Sequence, residues 1–360
     1  MYSPMRYAGY ILWKKRPIQL TFFVTKKCNA RCPFCFYLRK QEAPLDDQPE
    51  ISRQEIERLA LSLGRLLWVA FSGGEVYLRD DIVDISRIFY KWNKPTIFLY
   101  STNGLTPDLI KNKTEKILQH CPNSVVAVKL SLDGLGTEHD NLRGIRGSFE
   151  KVMETHHQLS KLLNKYPNFE LGINTVFCAA NQDHINKIFE FVKGLDHVRT
   201  HTLSIIRGKL KDESLKNVDL AKYHAAVEAM EKDLKKKSTG RYHFLGARLK
   251  SAQDILQRHL IYQTMLRQKR VLPCYAGRLN LVLTETGDVY PCELLDQKIG
   301  NIKNYNYNMQ KLLQSGQAKK IRREVRENRC FCSHECYFMT NILFNPKMYP
   351  LLIKEYLQLQ

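Results

Sequence analysis

Long apolar runs are missing from this chain. No stretch approaches the roughly 20 residues needed to cross a bilayer, and nothing over Met1 to Arg16 has the apolar centre of a signal peptide. These absences exclude a membrane-spanning helix and lead to the expectation of a cytoplasmic protein. Acidic residues are scarce: 36 Asp and Glu stand against 56 Lys and Arg, a formal charge of +20. That balance implies an anionic partner or a well-solvated basic surface. The densest basic run, Lys232 to Lys237, falls on an expected surface helix from Val218 to Lys236 and reads as a solvated face. No recognised RNA-binding module accompanies the charge. The cysteines also lack the layout of a secreted disulfide framework, because three crowd together near the start and leave one unpaired.

What is present is enough for a full core: 44% hydrophobic content over 360 residues supports one large domain and a smaller appended one. The strand-like Ile18 to Val24 runs into Cys28-Asn29-Ala30-Arg31-Cys32-Pro33-Phe34-Cys35. Three thiolates on so short a loop can occupy three irons of a four-iron cubane and leave the fourth open. A structural zinc site would want four closed ligands. Zinc and plain structural thiols are the alternatives. Cys121 and Cys178 stand alone beside strand-like segments and read as small buried hydrophobes.

Cys-x3-Cys-x2-Cys with an aromatic residue before the last cysteine resembles the signature of the radical S-adenosylmethionine (SAM) superfamily. The resemblance implies Cys28, Cys32 and Cys35 as ligands of a [4Fe-4S] cluster that binds SAM, with Phe34 beside the adenine. It implies one-electron cleavage of SAM to methionine and a 5′-deoxyadenosyl radical that abstracts hydrogen from substrate. It also implies an electron donor such as flavodoxin or ferredoxin. The implied fold is α/β, a partial (β/α)6 TIM-like barrel followed by a small C-terminal α+β iron–sulfur auxiliary domain.

The apolar pattern suits that fold, with a doubly wound sheet as the alternative. Further strands are expected at Leu67 to Phe71, Thr96 to Tyr100, Val125 to Ser131, Leu171 to Phe177 and Thr200 to Ile206. Helical periodicity falls between them at Arg53 to Leu63, Asp81 to Trp92, Pro107 to His120, Phe149 to Leu163 and His184 to Lys193. The expected organisation is an N-terminal extension over 1–17, the barrel over 18–240, the auxiliary domain over 241–340 and a tail or helix over 341–360.

In such folds ligands sit at the carboxyl ends of strands. After the second strand comes Ser72-Gly73-Gly74-Glu75, where residues without Cβ let backbone approach a ligand and a carbonyl edge can grip the SAM amino group. The family commonly has Gly-Gly-Glu-Pro here, and Val76 departs from it. Ser101 and Asn103 after the third strand, and Ser131 and Asp133 after the fourth, are small polar partners for ribose hydroxyls, or simple turn caps. By resemblance Arg143 would hold the SAM carboxylate, with a surface ion pair as the alternative. Asn181 and Arg207 are weaker analogues, and Arg207 could clamp a carboxylate or phosphate.

Cys274-x12-Gly287-x4-Cys292 brackets an expected β-hairpin and is similar to the opening of the SPASM and Twitch extensions, which carry auxiliary four-iron clusters. The likeness implies one cluster on Cys274, Cys292 and two of Cys330, Cys332 and Cys336; Cys332 and Cys336 are preferred and Cys330 is the rival. Zinc would also suit four of these thiols. His334 reads as an exposed turn residue. Glu293 matches the place of a carboxylate base in sulfatase-maturating members, with a structural carboxylate as the alternative.

The leading reading is a radical SAM oxidoreductase or modifying enzyme acting on a peptide, or on a small-molecule, sugar or lipid-linked substrate, with basicity favouring a phosphorylated one. A nucleic-acid (tRNA) modifying enzyme and a non-catalytic iron–sulfur sensor come after it. The aromatic, basic start from Tyr2 to Arg16 and the end from Met348 to Leu359 could lie on a membrane surface.

Overall fold

The structure, a computed structural model, describes residues 1–37, 49–236, 242–327 and 330–359. Lys237 and the expected domain boundary at 240/241 lie outside the described residues. A short 3-10 helix, Pro4–Ile11, precedes a run of strands and helices in alternation. These are β1 (Gln19–Thr25), α1 (Arg53–Leu63), β2 (Trp68–Gly73), α2 (Ile82–Asn93), β3 (Ile97–Thr102) and α3 (Pro107–His120). They continue as β4 (Val125–Ser131), α4 (Thr137–Arg143), α5 (Ser148–Leu163), β5 (Phe169–Phe177), α6 (Ile185–Lys193) and β6 (Thr200–Ile205). The six expected strands all form, each within about two residues of its expected bounds; α4 is an addition.

Local chemistry explains the boundaries. Ser52 and Glu55 make a capping box that starts α1, and Pro107 opens α3 where its missing N–H costs nothing. Each strand then divides its residues between two faces. In β4, Val126, Val128 and Leu130 join the core beneath the helices, while Val125, Ala127, Lys129 and Ser131 face the barrel interior.

Beyond β6 come α7 (Leu220–Lys235), α8 (Ala247–Arg267), β7 (Asn280–Leu283), β8 (Asp288–Tyr290), β9 (Gly300–Asn301), α9 (Met309–Gln314), α10 (Gly316–Arg326), α11 (Glu335–Leu343) and α12 (Tyr349–Gln358). The sheet runs β6-β5-β4-β3-β2-β1-β7-β8-β9. All contacts from β6 to β7 are parallel, and β7 to β9 are antiparallel. The expected hairpin is thus β7–β8, turned at Gly287 with φ +94°. It does not form a detached sheet, since β7 pairs with β1 and continues the barrel wall. Helix α8 is buried over the whole run from Ser251 to Arg258, charged residues included, and sends Lys250, Asp254, Gln257 and Arg258 to the interior cavity. No described helix is long and apolar enough to cross a membrane.

Aromatic rings pack together in the core where β1, β2 and α2 meet. Phe22 is wholly buried, with ring centroids 6.3 Å from both Phe71 and Phe89. Phe22→Ala should therefore cost about 3–5 kcal/mol in urea unfolding; a loss below about 1 kcal/mol would contradict this packing account.

Candidate functional site

The chain leaves β1 at Thr25 and runs directly into the cysteine loop. Two backbone hydrogen bonds fasten that exit to the exit of β2: Gly74 N–H donates to Thr25 O at 2.8 Å, and Glu75 N–H donates to Lys27 O at 2.8 Å. The seam requires Gly74, because a Cβ there would stand 2.1 Å from Lys27 O. At Gly73 a Cβ would stand 2.6 Å from Thr25 O. The close approach expected toward a ligand is made first to the chain's own cysteine loop.

Glu75 extends this seam to β3. Its carboxylate accepts from Thr102 Oγ1 at 2.8 Å, Asn103 N at 2.7 Å and Tyr77 N at 3.2 Å. Burial pushes its pKa up, and those donors work in the opposite direction. Asn103 Nδ2 in turn donates to Asn29 Oδ1 at 2.7 Å and lies 3.8 Å from Cys28 Sγ. Asn103 therefore braces the loop as well as facing the cavity.

Cys28, Cys32 and Cys35 open on one cavity with Phe34, Gly73, Gly74 and Glu75. Ser101, Asn103, Ser131, Arg143 and Arg207 line it too. Asp133 does not. It is fully buried behind Arg143, pairs with that guanidinium and accepts from Val176 N at 2.7 Å. The expectation that Asp133 meets a ribose is corrected on this geometry: its carboxylate is an internal counter-ion. Asn181 likewise turns inward, with Nδ2 donating to Asp133 O at 2.9 Å. Arg143 Nη1 lies 3.6 Å from Cys32 Sγ, and its guanidinium stands 5.4 Å from the Phe34 ring centroid. Burial disfavours its charge, but Asp133 and Cys32 more than offset that and raise its pKa.

The donor set suits an iron–sulfur cluster. Burial pushes Cys32 up to about 11, against the pull of Arg143, and also raises Cys28. Buried thiols left alone stay protonated; bound iron reverses that. Sulfur-directed donors are already in place: Ala30 N lies 3.5 Å from Cys28 Sγ. Among the described residues no three His, Cys, Asp or Glu side chains close around a point suited to a single ion.

The second cysteine group is split. Cys274, Cys292, Cys330 and Cys332 line one cavity, whereas Cys336 lines the barrel cavity. This arrangement groups Cys330, the rival in the sequence reading, with Cys274, Cys292 and Cys332 and leaves Cys336 apart. Arg270 reaches Cys330, with Nη2 3.0 Å from Sγ. The cause is α11, whose first turn carries Cys336 toward the barrel. Burial raises Cys274 and Cys292, and drives Cys332 and Cys336 up to about 12.

His334 lies between the two cavities and lines both. Its expected exposure is corrected: it is 3% exposed, packed against the Tyr337 ring, and its Nδ1 accepts from Cys336 N at 3.3 Å to cap α11. Its Nε2 lies 2.7 Å from Glu293 Oε1. Arg207, expected to clamp a substrate anion, instead binds Glu335 at 2.9 Å and approaches Glu293 at 3.7 Å. Glu335 had no signal in sequence beyond its place between Cys332 and Cys336.

A barrel open at a three-thiol loop defines a class. Residues 22–192 match the Radical SAM superfamily and residues 274–337 match the SPASM iron–sulfur cluster-binding domain. The chain belongs to the radical SAM superfamily; more particularly, it is an enzyme with a SPASM auxiliary domain, and its cofactors are SAM and [4Fe-4S] clusters. It is similar to the AdoMet-dependent heme synthase of Methanosarcina barkeri, 26% identical over 297 residues that cover 80% of each chain. It is 24% identical over 338 residues to the antilisterial bacteriocin subtilosin biosynthesis protein AlbA of Bacillus subtilis, covering 89% of this chain and 66% of that one. In fold it resembles native anSMEcpe with bound AdoMet, with a TM-score of 0.60 and 17% identity over 96% of this chain and 100% of the other.

Since the seam depends on Gly74, Gly74→Ala should destabilise the protein by about 2 kcal/mol or more and reduce iron loading of the reconstituted protein. Unchanged iron content and melting temperature would show that the seam does not position the loop.

Proposed function

We propose that this enzyme reductively cleaves SAM at a [4Fe-4S] cluster held by Cys28, Cys32 and Cys35, and takes a hydrogen atom from a substrate in the barrel cavity. The observation that carries this reading is a shared wall. Phe36, Ser72, Ser101, Asn174, Ser204 and Arg207 line both the cysteine cavity and the barrel cavity, so the two are continuous. When bound, the cofactors supply an electron to the SAM sulfonium and, on its cleavage, a 5′-deoxyadenosyl radical.

The chain's residues bind and orient. The Gly73-Gly74 edge takes the SAM amino group, Arg143 the carboxylate, Ser101 and Ser131 the ribose, and Phe34 the adenine face. Glu75 and Asp133 act behind them, the first by holding the β3 exit and the second by fixing Arg143. Cys274 and Cys292, with Cys330 and Cys332, would hold the auxiliary cluster in the cavity that His334 also lines. Glu293 accepts a substrate proton, and His334 sets its position. A flavodoxin or ferredoxin supplies the electron. The heme synthase and bacteriocin relatives support both a small-molecule and a peptide substrate.

Anaerobic reconstitution with dithionite and SAM should yield 5′-deoxyadenosine, and Cys32→Ala should fall to background. Absence of product from the wild-type protein would refute the reading. Iron analysis should give about eight irons per chain. Cys330→Ala and Cys332→Ala should each lower that count more than Cys336→Ala; the opposite order would reassign the fourth auxiliary ligand to Cys336.

A further inference from the structure

Past the cysteine loop the barrel cavity continues, and its two sides differ. From β1 to β3 it is lined by Thr21, Trp68, Ala70, Ile97 and Leu99, a mostly apolar face. From β4, β5 and α8 it is lined by Lys129, Glu170, Lys250, Asp254 and Arg258. Burying so much charge is costly unless each group is matched.

Lys129 is placed by a specific device. Register puts Lys129 opposite Gly172 and Gly172 opposite Thr200, so three strands share one rung. The Lys129 ammonium crosses above Gly172 to bond Thr200 Oγ1. A Cβ on residue 172 would stand 2.5 Å from that nitrogen and 2.6 Å from Thr200 Oγ1. Glycine inside a strand weakens it; here it opens the room the ammonium occupies.

The charges are unevenly paired, since Arg207 takes both Glu293 and Glu335. Asp254 pairs with Lys250 and accepts from Tyr242 at 3.1 Å, and Glu170 accepts from His243 N at 2.7 Å. Among the described residues no carboxylate forms an ion pair with Lys129 or Arg258. Within the described residues Arg258 Nη2 reaches a backbone carbonyl, that of His201, at 3.3 Å. His201 adds no charge, since burial pulls it down to about 3. Burial also draws Lys129 down to about 7, against the pull of Asp254. Among the described residues the two cations of the lining without an ion pair, Lys129 and Arg258, outnumber its one carboxylate without one, Glu170.

We propose that Lys129 and Arg258 bind an anionic group of the substrate, a carboxylate or a phosphate, while the apolar wall of β2 and β3 receives its body. The substrate class is an amphipathic organic acid small enough to enter the barrel. The inference rests on the barrel cavity being the substrate cavity.

The test titrates the full-length reconstituted protein with octanoate, octyl phosphate, octanol and octylamine, followed by calorimetry. No SAM or reductant is present, so failure of the SAM chemistry would leave the result untouched. Both anions should bind at least about tenfold more tightly than octanol, and the tighter of the two names the substrate's group. Lys129→Met and Arg258→Met should each weaken octanoate binding at least about tenfold, and Gly172→Ala, which displaces the ammonium without removing charge, should weaken it too. Lys129→Met should keep or raise the melting temperature, because it removes a buried charge that lacks a partner. Equal affinity for octanol and octanoate, preference for octylamine, unchanged octanoate binding in Lys129→Met and Arg258→Met, or a lowered melting temperature in Lys129→Met would overturn the proposal.

Discussion

The exits of β1 and β2 are joined by two backbone hydrogen bonds across a space that admits no side chain, and the site depends on that join. Gly74 makes the approach possible. Because the join is made by main chain, it fixes the cysteine loop as firmly as the sheet itself is fixed. Glu75 then passes the constraint to the exit of β3, and through Asn103 it returns to Cys28. Three thiols on a nine-stranded scaffold are thus held from two directions before any cofactor binds, which is the preorganisation a cluster site needs.

Buried ion pairs carry the next level of organisation. Arg143 with Asp133 stands behind the cysteine loop, and Arg207 with Glu335 and Glu293 ties the end of β6 to the SPASM segment. Such pairs contribute little net stability, since desolvation offsets attraction, but breaking one leaves a costly lone charge. They act as registers. Arg207 holds the auxiliary segment against the barrel where the cysteine-loop and barrel cavities meet, and His334 lies between the barrel cavity and the auxiliary one.

Much of the fold could be read from the chain. Strands such as Val125 to Ser131 alternate apolar and inward-facing residues, and the intervening helices carry their own caps and period. The cysteine motifs were legible by spacing. Long-range pairing was not: nothing local to Asn280–Leu283 says that it will lie beside β1. Helix α8 was missed because it is buried nearly all round and so lacks an amphipathic stripe. His334 was misplaced because its burial depends on contact with Glu293, distant in sequence, which a local turn pattern does not reveal. Lys129 passed unnoticed, although it shares the inward face with Ser131 two residues on, a signal that strand periodicity does contain.

The central claim is that SAM sits on the open iron of the cluster held by Cys28, Cys32 and Cys35. Electron–nuclear double resonance of the reduced, reconstituted protein with SAM carrying 15N in its amino group measures this directly. A resolved 15N hyperfine coupling to the reduced cluster is the predicted result, lost in Cys32→Ala. A cluster signal unchanged by SAM, with no nitrogen coupling, would contradict the account.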